Sequence, residues 1–174
     1  PKEILEKISN DCKAKTKNII LILTPTQSIS GVIQVVSRVS EVGLHKLHTL
    51  KFPLENVKEV SGSAPIPPVS NDFITSMGRT NDAILYGGNV ELKVKGSDEE
   101  INNLAKKLPS TSSKDYGKPF AEIFKIYKGD FYAIDPNLFS PGKVSVKSLD
   151  TGKIFIEGKL NNDLLDKSFG YEKN

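Results

Sequence analysis

Residues 61–68 restrict the possible folds of this chain more than any other segment. Their sequence, SGSAPIPP, combines three prolines with several small residues. Proline fixes its own φ angle and has no backbone N–H, so the segment cannot be helical. It is also too ordered in composition for a flexible linker, and it therefore predicts a shaped loop.

Hydrophobic periodicity predicts helices and strands on both sides of this loop. Apolar residues at helical spacing predict helices at 2–12, 32–42, 71–77, 98–108 and 119–128. Short apolar or alternating runs predict strands at 18–23, 44–52, 83–86, 89–95, 143–147 and 153–157. The expected fold class is mixed α/β (α+β), a compact domain of mixed strands with helices.

Several boundaries have local signals. Ser28 or Ser30 can cap the helix at 32–42, and Gly43 can end it, because serine accepts from free N–H groups and glycine adopts a left-handed conformation. Ser97 and Glu100 form a capping box before the helix that Pro109 ends. Residues 150–152 predict the turn of a hairpin.

Composition indicates an ordinary soluble protein. The chain has 174 residues, 37% hydrophobic and 26% charged, with a net charge of +3. Its lysines are spread without a basic run, which argues against nucleic acid binding. The longest apolar run, residues 19–23, is too short to span a membrane, and no signal segment opens the chain. The single cysteine, Cys12, favours a reducing, cytoplasmic location.

Arginine is rare in this chain: of 24 basic residues only Arg38 and Arg79 are arginines. Arginine can hold two acceptors at fixed angles, which lysine cannot do. Arg38 and Glu41 lie three apart on the predicted helix 32–42, so their side chains can touch. The pair is either an ordinary surface ion pair or a carboxylate that activates water beside an arginine that tunes its pKa.

Arg79 opens a dense group of hydrogen-bonding residues, Arg79, Thr80, Asn81 and Asp82, directly before a predicted strand. One interpretation is a loop in which Asn81 and Asp82 form local turns with their own backbone. The other is a binding loop, which together with residues 61–68 forms the walls of a cleft. On that second interpretation, all four residues are candidates for substrate binding.

Other kinds of active site are not supported. The chain has neither the GxGxxG nor the GxxxxGK[ST] spacing of phosphate-binding loops. His45 and His48 lie three apart without a third metal ligand nearby, so no metal site is expected. No serine lies in a nucleophile elbow, and Cys12 is predicted to face a helix interior, which argues against covalent catalysis.

Five segments taken in order identify a family resemblance. They are TPTQSISGVIQVVSRVSEVG, SGSAPIPPVSNDF, MGRTNDAILYGG, SSKDYGKPFAEIF and YAIDPNLFSPGKV. Together they resemble methenyltetrahydromethanopterin cyclohydrolase, from about residue 18 to the end of the chain. The resemblance implies hydrolysis of the methenyl bridge of a pterin one-carbon carrier to the formyl form, with Glu41 as base and Arg38 tuning it. It implies no metal and no organic cofactor, because the pterin is the substrate.

Family members are roughly twice as long as this chain. The resemblance therefore implies that residues 1–174 are the C-terminal portion, one of two domains, without the N-terminal domain that completes the substrate pocket. It further implies a cytoplasmic homotrimer in one-carbon metabolism of the archaeal, methanogenic type. Two hypotheses stay open: a cyclohydrolase, complete or dependent on its other half, and a non-catalytic module for pterin binding or assembly.

Overall fold

The computed structural model describes residues 2–171, which form seven α-helices and four β-strands. The helices are α1 (Lys2–Asp11), α2 (Ile29–Val36), α3 (Val39–Thr49), α4 (Phe73–Leu85), α5 (Asp98–Lys107), α6 (Phe120–Ile126) and α7 (Asn162–Phe169). The strands are β1 (Val57–Ser63), β2 (Asn89–Val94), β3 (Lys143–Ser148) and β4 (Ile154–Gly158). The expected mixture of helices and strands in one α/β domain is confirmed.

The four strands form one sheet in the order β1-β2-β3-β4, and one of its faces is packed. The central pair β2 and β3 is parallel, whereas both outer pairs are antiparallel. Alternate residues of β2, namely Val90, Leu92 and Val94, are buried. They belong to a hydrophobic cluster that α3 and α5 complete, so these two helices cover that face.

A second hydrophobic cluster lies among the remaining helices, with α4 at its centre. Helix α4 packs against α2, α6 and α7. Tyr86, Phe120 and Phe169 are among the large buried side chains of this cluster. Val36, at the end of α2, belongs to this second cluster, whereas Val39, at the start of α3, belongs to the first. The junction of α2 and α3 therefore lies between the two cores.

Four predictions that rested on local signals are confirmed: two helix caps, one strand and one hairpin. Ser97 Oγ accepts the N–H of Glu100 at 3.3 Å and begins α5. Strand β2 lies where alternation placed it, and β3 and β4 form the predicted antiparallel hairpin. Ser28 caps α2 by accepting the Gly31 N–H at 3.0 Å. Both serines that were predicted as caps make the capping hydrogen bond themselves.

The prediction of a strand at 44–52 is wrong, because α3 continues to Thr49. Its buried residues are Val39, Gly43, Lys46 and Leu47, which follow the spacing of a helix and not that of a strand. Gly43 does not end a helix either. A Cβ atom at Gly43 would lie 3.2 Å from Val90 Cγ1, so this glycine permits close packing of α3 on β2.

The predicted short helix at 71–77 and strand at 83–86 are parts of a single helix, α4. Ala83, Ile84 and Leu85 are all buried, because α4 is surrounded by other helices. A short run of apolar residues that is buried on every side has no periodicity to separate helix from strand.

The predicted strand at 18–23 is also wrong. Residues 20–23 belong to neither a helix nor a strand, and Ile20, Ile22 and Leu23 are each more than four-fifths exposed. Cys12, expected inside a helix face, is exposed just beyond the end of α1. Within residues 2–171, no helix is long and apolar enough to cross a membrane.

Candidate functional site

Arg38 and Glu41 lie at the junction of α2 and α3. The single helix predicted for 32–42 is interrupted here: α2 ends at Val36, and Arg38 is the N-cap residue of α3. Glu41 lies in the first turn of α3, where the helix dipole favours a negative charge. The pair still meets, with 3.9 Å between Arg38 Nε and Glu41 Oε2.

This ion pair is open to solvent. The side chains of Arg38 and Glu41 are 55% and 65% exposed. An exposed pair at this distance adds little to stability, about 0–1 kcal/mol, because water screens it. Both groups can therefore reach a ligand without the loss of an important structural contact.

A groove of about 360 Å³ lies beside the junction. Its walls come from the end of α2, the start of α3, and the chain that leaves β1. The lining residues are Ile33, Val36, Ser37, Val39, Gly62, Ser63, Ala64 and Ile66. Ser37 and Val39 flank Arg38 in sequence, so the backbone at Arg38 borders the groove, although the side chains of Arg38 and Glu41 are not part of its lining. It is mostly apolar with a few hydroxyl groups, which suits a ring system with polar edges.

Glycines set the width of this groove. A Cβ atom at Gly62 would lie 2.6 Å from Ser40 Oγ and 2.9 Å from Val39 Cγ1, too close to be accommodated without movement. A Cβ atom at Gly87 would lie 2.6 Å from Pro65 Cδ. These glycines let β1 and the proline-rich segment approach the helices closely.

The second group of candidates, Arg79, Thr80, Asn81 and Asp82, is not in a loop but inside α4. The structure does not place it beside Arg38 in the groove. Arg79, with Ser168 and Gly170, lines a different depression of about 330 Å³ between α4, α6 and α7. The two regions selected from the sequence are thus separate sites.

Two of these four residues bond to their own helix. Thr80 Oγ1 and Asn81 Nδ2 each donate to the Met77 carbonyl, both at 2.9 Å. Thr80 is also buried. Of the predicted local bonds of Asn81 and Asp82, only that of Asn81 is present, and it lies within a helix rather than in a loop.

Asp82 is buried and joins three helices. Its Oδ1 accepts the Phe120 N–H at 2.8 Å, at the start of α6, and its Oδ2 accepts the Ser168 hydroxyl at 2.6 Å, in α7. Burial raises the pKa of Asp82 to about 7, and the negative charge of Glu122 adds to the rise. The hydrogen bonds from Ser168 and Phe120 oppose this pKa shift only in part.

Sequence reasoning missed Lys46, the one lysine among the buried polar side chains of residues 2–171. Its Nζ donates to the Asn137 carbonyl at 3.0 Å, to Asn137 Oδ1 at 2.9 Å and to Ser112 Oγ at 3.3 Å. Burial lowers the pKa of Lys46 to about 8, although the charge of Asp135 opposes the shift. The helical spacing of Val39, Gly43 and Lys46 was the available signal.

Metal-binding residues do not converge in residues 2–171, where no three His, Cys, Asp or Glu side chains are grouped as ligands. His45 and His48 are exposed on α3. What the described residues present at the surface is an exposed Arg38–Glu41 ion pair and an apolar groove. The fold and this site together define an α/β domain with a charged pair close to a candidate ligand groove.

Comparison with known proteins identifies the family. The family described as "Cyclohydrolase (MCH)" matches residues 1–169. The chain therefore belongs to this cyclohydrolase family, as its motifs indicated, and the match begins at residue 1 rather than near residue 18.

Several curated relatives carry the same name, methenyltetrahydromethanopterin cyclohydrolase. The protein from Methylobacillus flagellatus is 56% identical over 171 residues, 98% of this chain and 52% of that protein. The one from Methylosinus trichosporium is 51% identical over 170 residues, 98% of this chain and 65% of that protein. The one from Rhodopirellula baltica is 45% identical over 170 residues, 97% of this chain and 51% of that protein. The chain spans about half to two thirds of the length of these relatives.

Proposed function

We propose that this chain carries the acid–base pair of a methenyltetrahydromethanopterin cyclohydrolase, with Glu41 and Arg38 as the catalytic residues. The observation that carries the proposal is the exposed Arg38–Glu41 pair beside a groove, in a chain whose family match spans residues 1–169. The reaction adds water to the methenyl carbon, breaks one of its two C–N bonds and releases a proton. The products are the formyl carrier and H⁺.

Glu41 is the general base in this reaction. The methenyl carbon lies between two nitrogens in a cation, so it is already electrophilic and needs only a positioned water molecule. Glu41 accepts a proton as the water oxygen bonds to the carbon. Its place in the first turn of α3 sets the position of its backbone next to the residues that line the groove.

Arg38 orients Glu41 and balances its charge. The guanidinium lies 3.9 Å from the carboxylate, close enough for a charge interaction that still leaves the carboxylate oxygens open to water. An arginine side chain has only N–H donors and no acceptor, so it does not compete for the proton that Glu41 accepts.

The groove beside this pair receives one edge of the pterin. Its apolar walls suit the flat ring, and the hydroxyls of Ser37 and Ser63 can bond to polar edge atoms. Of the earlier binding candidates, Thr80, Asn81 and Asp82 make hydrogen bonds within α4 or to neighbouring helices. Arg79 bonds to the segment that forms one wall of the groove. The carrier is the substrate, and the reaction needs neither a metal nor an organic cofactor.

The curated relatives extend well beyond the region that they share with this chain. We propose that the remainder of such a protein supplies a further wall of the substrate pocket, in addition to the walls that this chain provides. We further propose that the assembled enzyme is a cytoplasmic homotrimer, active in one-carbon metabolism of the kind that supports methanogenesis.

The decisive experiment follows the absorbance of the methenyl carrier with the 174-residue chain. The chain is tested alone and with the part of the Methylobacillus flagellatus relative that lies outside the match, co-expressed as a separate polypeptide. We expect turnover above the spontaneous rate in the complemented sample. Glu41→Gln should lower kcat about 10²- to 10⁴-fold, because the amide cannot accept a proton.

Glu55→Gln is the matched control, since Glu55 is also exposed but lies away from the groove. It should retain the rate of the unaltered chain. A Glu41→Gln variant as active as Glu55→Gln would remove Glu41 from the role of base. Carrier binding without turnover in every complemented sample would favour the non-catalytic alternative.

A further inference from the structure

The wall of the groove opposite the helices is a segment that packs at Ala64 and Pro67 but makes few hydrogen bonds. We call residues 64–69 the proline wall; Ala64 and Ile66 of this wall line the groove. Pro65, Pro67 and Pro68 have no N–H to donate. Among residues 2–171, the wall takes part in one hydrogen bond, in which Arg79 Nη1 donates to the Pro68 carbonyl at 3.2 Å.

Arg79 has a second hydrogen-bond acceptor, which is distant from the wall in sequence. Its Nε donates at 3.0 Å to the carbonyl of Ser168, in the last turn of α7. The last carbonyls of a helix have no partner within the helix, and a cation is favoured there by the helix dipole. The guanidinium thus links the end of α7 to the end of the proline wall.

The anchor on α7 is itself fixed. The Ser168 hydroxyl donates to the buried Asp82, one helical turn beyond Arg79 on α4, so Ser168 is held through both its side chain and its carbonyl. At the other end of the wall, Pro65 packs against Gly87, where no side chain could fit. The wall is therefore held by packing at Ala64, Pro65 and Pro67, and by the hydrogen bond from Arg79 at Pro68.

We propose that Arg79 is a positioning residue, which holds the proline wall at its distance from the junction of α2 and α3 by bridging the Pro68 and Ser168 carbonyls. This inference rests on the proposed function of the groove but not on the identity of the base. A lysine would have to serve both carbonyls from a single nitrogen atom, whereas the planar guanidinium directs separate N–H groups to the two carbonyls at fixed angles. Arg79 acts on the substrate through the wall and does not contact it.

The first test measures the wall itself and requires no activity. NMR relaxation of the 174-residue chain gives backbone order parameters for Ala64, Ile66 and Val69 without ligand. We expect about 0.85 in the unaltered chain and less than about 0.6 at Ile66 and Val69 in Arg79→Met, which matches the volume of the stem but cannot bond. Arg79→Lys, which is also the safeguard if Arg79→Met does not fold, should give intermediate values.

Lys106→Met is the matched control, because it removes an exposed cation from α5, far from the wall. It should leave the order parameters unchanged. Order parameters at Ile66 and Val69 that stay high in both Arg79 variants would overturn the proposal.

The second test separates positioning from direct binding in the complemented enzyme. Arg79→Met should raise KM about tenfold or more with a smaller change in kcat, and Arg79→Lys should recover part of the loss. A raised KM with an unchanged wall would show that Arg79 contacts the substrate itself, against the proposal. If the unaltered complemented enzyme has no turnover, the proposed function fails, while the NMR result still decides whether Arg79 holds the wall.

Discussion

The two arginines of this chain occupy opposite kinds of surroundings. Arg38 occupies the N-cap position of α3 at the surface, and its Nε lies 3.9 Å from Glu41 Oε2. Both side chains are more than half exposed. Arg79 lies within α4, is half-buried, and bonds to two carbonyls from distant parts of the chain. The same reasoning from arginine's geometry selected both residues, yet one faces solvent and the other joins structural elements.

The comparison shows how the molecule separates chemistry from support. The Arg38 region contributes little to stability, because its contacts are screened by water, and this leaves its charges free to act on a ligand. The Arg79 region, with Asp82 three residues later, uses its polar groups on buried contacts among α4, α6 and α7. Changes in the first region should affect activity, and changes in the second should affect stability.

In the Arg79 region, the prediction of greatest magnitude is that the free energy of unfolding depends on pH. The folded-state pKa of Asp82 is raised from 3.8 to about 7, so the folded protein binds a proton that the unfolded chain releases. This contribution to the free energy of unfolding is complete below about pH 4 and is lost as pH rises through about 7, with a maximum of about 4 kcal/mol.

Urea denaturation of the unaltered chain and Asp82→Asn between pH 4 and 8 checks this prediction. The asparagine variant lacks the titrating group, so the difference between the two curves isolates Asp82 from all other groups. A difference that stays constant across this range would contradict the burial of an ionisable Asp82.

The next effect tests the hydrogen bonds of Asp82 rather than its charge. Asp82→Ala leaves the Phe120 N–H and the Ser168 hydroxyl without their acceptor in a buried place. Each such loss costs about 1–3 kcal/mol, so Asp82→Ala should be about 2 kcal/mol or more less stable than Asp82→Asn at pH 6. Equal stability of the two variants would mean that other groups or water replace the carboxylate.

The smallest effect on stability belongs to the Arg38 region. Arg38→Met should change the free energy of unfolding by less than about 0.5 kcal/mol, because the pair with Glu41 is exposed. In the complemented enzyme it should lower kcat about 10²-fold, the effect expected for removal of one charged group from an active site.

Denaturation and turnover of the same Arg38→Met preparation check both parts of this prediction. Asp82→Asn, measured in parallel, should show the opposite pattern, with kcat close to that of the unaltered enzyme at pH 6. A large loss of stability in Arg38→Met would erase the contrast between the two regions.

Elements with a local signal could be predicted from the sequence, and others could not. The cap at Ser97 and the alternation in β2 describe contacts within a few residues, and both are confirmed. Residues 20–23 carry the apolar character of a buried strand, yet they are exposed in the described structure. An apolar run shows what a segment would gain from burial but not which part of the protein provides the partner.

For the candidate site, local sequence was enough to show which residue types are available and how far apart Arg38 and Glu41 can be. The i, i+3 spacing brought their side chains together even though the helix begins anew at Arg38, since the first turn of α3 keeps that geometry. That Arg79 and Asp82 face α6, α7 and the proline wall rather than the groove depends on packing between distant segments and could not be read locally. Helical spacing puts Lys46 on the same face of α3 as Val39 and Gly43, but its partner Asn137 lies 91 residues away, so no local pattern identifies that contact.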